Sequence, residues 1–153
     1  EKPHLNGVYT FFMKNDLSSV VLVFNDRNEL VLQLRAAKDD NFPLHWDFSA
    51  AGGITPGENH KTAAKRELRE ELGIKVDLDY IGEEFYQDND FTDKLYIYKT
   101  KHNGPFIPDS NEVEEVRFFK LEQIEEMLKA GVKFHPEFIY LWNKGILKEI
   151  REG

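Results

Sequence analysis

The stretch GGITPGENHKTAAKRELREELGI, Gly52–Ile74, constrains this chain more than any other. It opens in a glycine-rich turn, and a helix is predicted from near Asn59 to Gly73, a glycine suited to a helix C-terminus. Ala64, Leu68 and Leu72 recur every four residues and give that helix a buried stripe. Glu67, Glu70 and Glu71 stand at i, i+3 and i+4, so their carboxylates are expected on one face, roughly opposite the stripe. Like charges at that spacing destabilise a helix by about 0.2–0.5 kcal/mol per pair. Three clustered carboxylates are hard oxygen ligands suited to Mg²⁺ or Mn²⁺, and a bound cation would offset the repulsion and bridge to phosphate oxygens. Taken alone, the helix reads better as a solvated charged face, with Arg66 and Glu70 as an ordinary i,i+4 pair.

The rest of the chain narrows the choice. Its 153 residues suit one domain with a single core, spanning 1–153. No apolar run approaches the roughly 18 residues that span a bilayer, and no secretory pattern precedes the first segments, although the chain starts at Glu1 rather than Met. Cysteine is absent, which excludes disulfides, thiolate metal sites and cysteine nucleophiles, and a cytoplasmic location is expected. A net charge of −8 disfavours nucleic acid polymers and anionic membranes as partners. A small polyanion arriving with a divalent cation is still compatible with it.

Along the chain, Gly7–Lys14 reads as a strand, and Val20–Phe24, NDRNE and LVLQLR read as a hairpin around an Asn/Asp-rich turn. The irregular stretch AAKDDNFPLHWDFSAAGG follows, long enough to carry function. Strands are predicted at Val76–Tyr86, Lys94–Thr100 and Val116–Phe119, then an amphipathic helix, LEQIEEMLKAG. One final helix is predicted over HPEFIYLWNKGILKEI with Pro136 in its first turn. The class is α/β or α+β, a mixed sheet flanked by helices.

Gly52, Glu58, Arg66, Glu67, Glu70, Glu71 and Gly73, with apolar Leu68 and Ile74, match the Nudix box G-x5-E-x7-R-E-U-x-E-E-x-G-U at every fixed position. At a usage of about 7% per common residue type, chance gives such a match somewhere in the chain with probability on the order of 10⁻⁶. The chain therefore resembles the Nudix hydrolases, which implies an α/β/α sandwich with a mixed β-sheet. The resemblance implies Glu70 and Glu71 as ligands of Mg²⁺ (or Mn²⁺), with Glu67 a ligand or the base that prepares water. It also implies an orienting ion pair of Glu58 and Arg66, and the backbone carbonyl of Ala51 in the metal shell. Gly52 and Gly73 serve backbone conformation.

Outside the box, Glu112 is the first choice for a further acid, as ligand or base, ahead of Glu114 and Glu115. Arg35 and Lys38 could hold substrate phosphates, with two surface cations as the equal alternative. Trp46, Phe48 and Phe85 could stack on a base, although core packing is the better expectation for each. His45, beside Trp46, could line the pocket, and the five histidines show no metal-ligand spacing.

The segment before the glycines also resembles the isopentenyl-diphosphate isomerase branch of the fold. That enzyme needs a cysteine and a histidine where this chain has Ala51 and Gly53, so an isomerase of that mechanism is disfavoured. The leading expectation is metal-dependent hydrolysis of a small-molecule diphosphate: a nucleoside diphosphate linked to a group X, or a related organic diphosphate. A nucleotide sensor without turnover is the alternative, and a homodimer and a monomer are both open.

Overall fold

Val20–Phe24 is apolar at every position because the strand that contains it is covered on both faces. The computed structural model describes residues 14–152. The strand predicted over Gly7–Lys14 thus lies outside the described residues, apart from Lys14, which opens β1 (Lys14–Phe24). Val20, Leu22 and Phe24 point into one core and Val21 and Val23 into the other, all at most 1% exposed. Side chains alternate across a strand, so burial on both sides requires an unbroken apolar run.

Ten further elements surround β1: β2 (Leu30–Arg35), β3 (Trp46–Asp47), β4 (Ala50–Gly53), α1 (His60–Leu72), β5 (Asp79–Gln87), β6 (Phe91–Lys101), β7 (Val113–Phe119), α2 (Leu121–Lys129), α3 (Pro136–Asn143) and α4 (Ile146–Glu152). The sheet runs β3-β2-β1-β6-β5, with β4 on β1 and β7 on β2. β1 and β6 are parallel along their length, and the other pairs are antiparallel. One core packs α1 through Ala64, Leu68 and Leu72. The other packs α2 to α4 through Leu121, Ile124, Phe138, Leu141, Leu147 and Ile150. The result is an α/β/α sandwich. Among the described residues no helix is long and apolar enough to cross a membrane.

Three expectations need adjusting. The hairpin is real only at its tip, where Phe24 faces Leu30; further back, Ser18–Val21 pair with Gly53–Ala50 of β4 instead. The Asn25 side chain closes that tip by accepting from the backbone N–H of Arg27 and of Glu29, both at 2.9 Å. The strand read from Val76 starts at Asp79. The single final helix is two, because Gly145 takes a φ of 76°, a left-handed conformation that no helix continues through.

Candidate active site

The boundaries of α1 follow from its caps. The Asn59 side chain accepts from Thr62 N–H at 2.8 Å, and Gly73 ends the helix at φ 70° while donating to Arg69 C=O at 3.0 Å. A Cβ on Gly73 would also stand 2.6 Å from the carbonyl of Ile107.

The Glu67 and Glu71 side chains are not on a solvated face. They are 8% and 7% exposed, whereas Glu70 is exposed. Successive helical residues turn by about 100°, so positions 67 and 71 flank the Leu68–Leu72 stripe rather than oppose it. They turn toward β4 and β2. Glu67 occupies the space beside Gly52, where a Cβ would stand 1.8 Å from its Oε2. Glu71 Oε1 accepts from Gln33 Nε2 at 2.6 Å and from Ala51 N–H at 3.2 Å.

Arg66 organises the exposed side. Its Nε and Nη2 donate to the two oxygens of Glu58 at 2.7 and 3.0 Å, and Nη2 also reaches Gly53 C=O at 3.0 Å. Nη1 donates to Glu67 at 3.1 Å and Glu70 at 3.3 Å. Glu58 is held further by the Thr55 N–H and hydroxyl at 3.0 and 2.9 Å. The hydrogen bonds from Arg66 pull the Glu58 carboxyl down to about 2. The carboxyls of Glu67 and Glu71 move the other way. Burial raises both, and Glu71 is raised further by the charge of Glu67 beside it.

Glu112 reaches the same place from the loop before β7. It borders a cavity of about 260 Å³ together with Gln33, Arg35, Gly52, Glu67 and Glu71. Its carboxyl is raised by burial and by the nearby charges of Asp109 and Glu67. Glu114 instead accepts from Ala37 N–H at 3.3 Å, and Glu115 pairs with Arg117.

The substrate-binding expectations fare differently. Arg35 borders the cavity and donates to Asp47 at 2.9 Å, Asp39 at 3.0 Å and Asn41 C=O at 3.0 Å. Lys38 is exposed and donates to Asn111 at 3.0 Å, outside the cavity walls. Trp46 is a core residue rather than a stacking surface, 9% exposed and edge-on to Phe119 at 5.1 Å, because the short strand β3 turns it inward. Phe48 is buried likewise, Phe85 is exposed on β5, and the His45 ring bonds Pro43 C=O.

A second, larger cavity of about 470 Å³ shares Arg35, Asp47, Ala51 and Gly52 with the first. It brings in Asp93, His135 and Glu137, which reading the sequence left aside. One signal was available: Asp93 has the parity of Leu95 and Ile97, the core-facing residues of β6, so an acid stands on an apolar face. Gln33 was also missed, although it sits mid-strand in β2 directly after three buried apolar residues.

Glu67 and Glu71 lie within hydrogen-bonding reach of each other. Among the described residues no three His, Asp or Glu side chains already converge as a metal site would require, because Arg66 draws Glu70 outward. The donors still fit a hard divalent ion. Two facing carboxyls that burial holds toward their protonated forms are relieved by a charge of opposite sign.

Residues 14–142 match the NUDIX domain model. The chain is 34% identical over 139 residues to an uncharacterized Nudix hydrolase of Listeria innocua, covering 90% of this chain and 82% of the relative. It is 31% identical over 117 residues to an isopentenyl-diphosphate Delta-isomerase of Nocardia farcinica, covering 72% and 66%. The fold superposes on a MutT protein from Methanosarcina mazei with a TM-score of 0.73 at 20% identity, over 90% of this chain and 96% of that one. The complete box, the two-faced sheet and these likenesses agree: the chain belongs to the Nudix hydrolases, enzymes that act on pyrophosphate bonds.

Proposed function

We propose that the protein is a Mg²⁺-dependent pyrophosphohydrolase that cleaves the diphosphate linkage of a nucleoside diphosphate joined to a group X. The observation that carries this reading is the buried pair Glu67 and Glu71, pressed against Gly52 and backed by Gln33 and the Ala51 N–H. Glu67, Glu71 and the Ala51 carbonyl would hold the ion, joined by Glu70 and Glu112. Mg²⁺ bound there supplies charge neutralisation at the phosphate oxygens and a more acidic water.

The remaining work belongs to the chain's own groups. Glu67 stands against Gly52 beside the proposed ion, where its carboxylate can accept a proton from water. Arg66 fixes that carboxylate and competes with the ion for Glu70. Glu58 holds Arg66 in place by a two-point bond. Glu112 supplies a further acid from the opposite wall.

The test is phosphate-product release across nucleoside triphosphates, nucleotide sugars, dinucleotides and prenyl diphosphates, with and without Mg²⁺. Metal-dependent cleavage of one class well above the others is expected. Metal binding without cleavage of any would favour the sensor reading, in which the intact set of carboxylates has no purpose. Glu67→Gln should lower turnover by about 10²–10⁴, the range of a general base. Glu112→Gln should lose most of its turnover while its melting temperature stays near that of the unaltered protein.

The isomerase reading lacks its chemistry. Ala51 and Gly53 offer neither thiol nor imidazole where that enzyme carries them.

A further inference from the structure

The central strand changes partner part-way along, and one buried hydroxyl stands where it does so. β1 and β2 are in register at the tip of their hairpin, where Asn25 N–H donates to Glu29 C=O at 2.9 Å and Phe24 faces Leu30. Bonded and non-bonded pairs alternate along an antiparallel ladder, so Val23 N–H and Val31 C=O are due to make the next direct bond. In its place lies the Ser49 hydroxyl, accepting from Val23 N–H at 2.9 Å and donating to Val31 C=O at 2.5 Å. Ser49, Val23 and Val31 are all 0% exposed, so these groups find their partners within the protein. Beyond this point β1 pairs with β4 through Ser18–Val21, while β2 pairs with β7 and β3. One ladder bond has become two, and the hydroxyl holds the strands apart.

Ser49 leads straight into β4, which carries Ala51 and the space beside Gly52 that Glu67 fills. It also has a second arm, because its C=O accepts from Gln33 Nε2 at 3.2 Å. A carbonyl cannot donate, so this contact decides which end of the Gln33 carboxamide turns inward. The same nitrogen donates to Glu71 Oε1 at 2.6 Å, and Ala51 N–H donates to that oxygen at 3.2 Å. Both bonds that orient Glu71 therefore come from groups that Ser49 places. Ser49 itself borders neither cavity.

We infer that Ser49 is a positioning residue for the hydrolytic centre: its hydroxyl wedges β1 from β2 and so sets where β4 and the Glu71 carboxylate stand. This rests on the pyrophosphohydrolase reading and adds to it a residue that touches neither ion nor substrate. Removing the hydroxyl does not strand the two backbone groups, because Val23 and Val31 are an opposed pair that can close on each other. Closure draws β1 toward β2 and shifts the start of β4, so the fold survives while the site is displaced.

The experiment is titration of Ser49→Ala with Mn²⁺ alone, followed by electron paramagnetic resonance, beside a urea midpoint. Mn²⁺ affinity should fall about 10–100-fold, the loss typical when a residue that orients metal ligands is changed. Leu147→Ala, in the core on the other face, should lower the midpoint at least as far and leave Mn²⁺ affinity unchanged. Unaltered affinity in Ser49→Ala, or equal weakening in Leu147→Ala, overturns the inference. If the alanine variant does not fold, Ser49→Cys keeps the shape with a much weaker donor and carries the same expectation. One reading needs no variant: nuclear magnetic resonance of the unaltered protein should show no scalar coupling across a hydrogen bond from Val23 to Val31. Such a coupling would mean that the ladder closes there, and the wedge would fall. Weaker Mn²⁺ binding in Ser49→Ala, with no compound cleaved by the unaltered protein, would sink the hydrolytic reading and leave Ser49 positioning a metal site. Turnover in the unaltered protein with full Mn²⁺ affinity in Ser49→Ala would do the reverse.

Discussion

At Gly52 a hydrogen stands where other residues carry a Cβ, and the Glu67 carboxylate fills that space. Gly52→Ala should therefore displace Glu67 and cut turnover at least about a hundredfold, with overpacking costing about 1–3 kcal/mol of stability. Turnover assays beside a thermal melt check it, and an active alanine variant would contradict the geometry. Glu58 gives the acid-side prediction. Its folded carboxyl lies at about 2 against an ordinary 4.5, so its contribution is present above pH 4.5 and disappears as the pH falls toward 2. Melting curves from pH 7 to 2 should show Glu58→Gln less stable at neutral pH, with the difference closing as acid is added.

These residues were unequally legible. The partnership of Glu58 with Arg66 was implied by the resemblance to the box, and the two side chains meet at 2.7 and 3.0 Å. The burial of Glu67 and Glu71 could not. It depends on which side of α1 meets β4, and that is a tertiary fact. Trp46 shows the same limit: its residue type suits a base platform and a core equally, and only the pairing of β3 with β2 turns it inward.

At the scale of elements, caps and breaks were the most readable features where a side chain or a glycine caused them. Asn59 and Gly73 bound α1 within one residue of expectation. Gly145 was overlooked because an apolar periodicity continues across it, from Phe138 and Leu141 to Leu147 and Ile150. Both helices face one core, so the pattern alone runs them together. Gly145→Ala meets no atom within 4 Å, so its cost is purely conformational, about 1–2 kcal/mol for a left-handed residue. A chemical denaturation midpoint measures it, and an unchanged midpoint would mean that the helices can fuse. The two-residue β3 escaped notice for another reason. It is held by backbone bonds to Lys133 and His135 as much as by β2, and such remote pairings leave no local mark.

For the whole molecule, the two faces of the sheet divide the labour. The α1 face carries Glu67 and Glu71, proposed above for hydrolysis; the face of α2 to α4 carries the larger core and Glu137. Trp46 belongs to that larger core, so Trp46→Ala should cost about 3–5 kcal/mol, while Trp46→Phe should be far milder and leave substrate affinity in place. The contrast is read by urea titration of both variants. The sandwich was legible through the resemblance that the box carries, and the alternation of strands and helices by itself gave only a mixed sheet flanked by helices. The order of strands was not, since the parallel pairing of β1 with β6 joins segments far apart in the chain.

The acids that line both cavities also shape how anything arrives there. Glu67, Glu71, Glu112, Asp47 and Asp93 outnumber Arg35, which already pairs with Asp39 and Asp47, so each of these acids that is ionised adds negative potential at the entrance. A bare polyphosphate is repelled from such a mouth, whereas its complex with a divalent cation is not. Added salt screens that repulsion over distances of about 10 Å at 0.1 M. Encounter with the metal-free nucleotide should therefore quicken as ionic strength rises, the opposite of the slowing seen when a basic cleft draws in its anion.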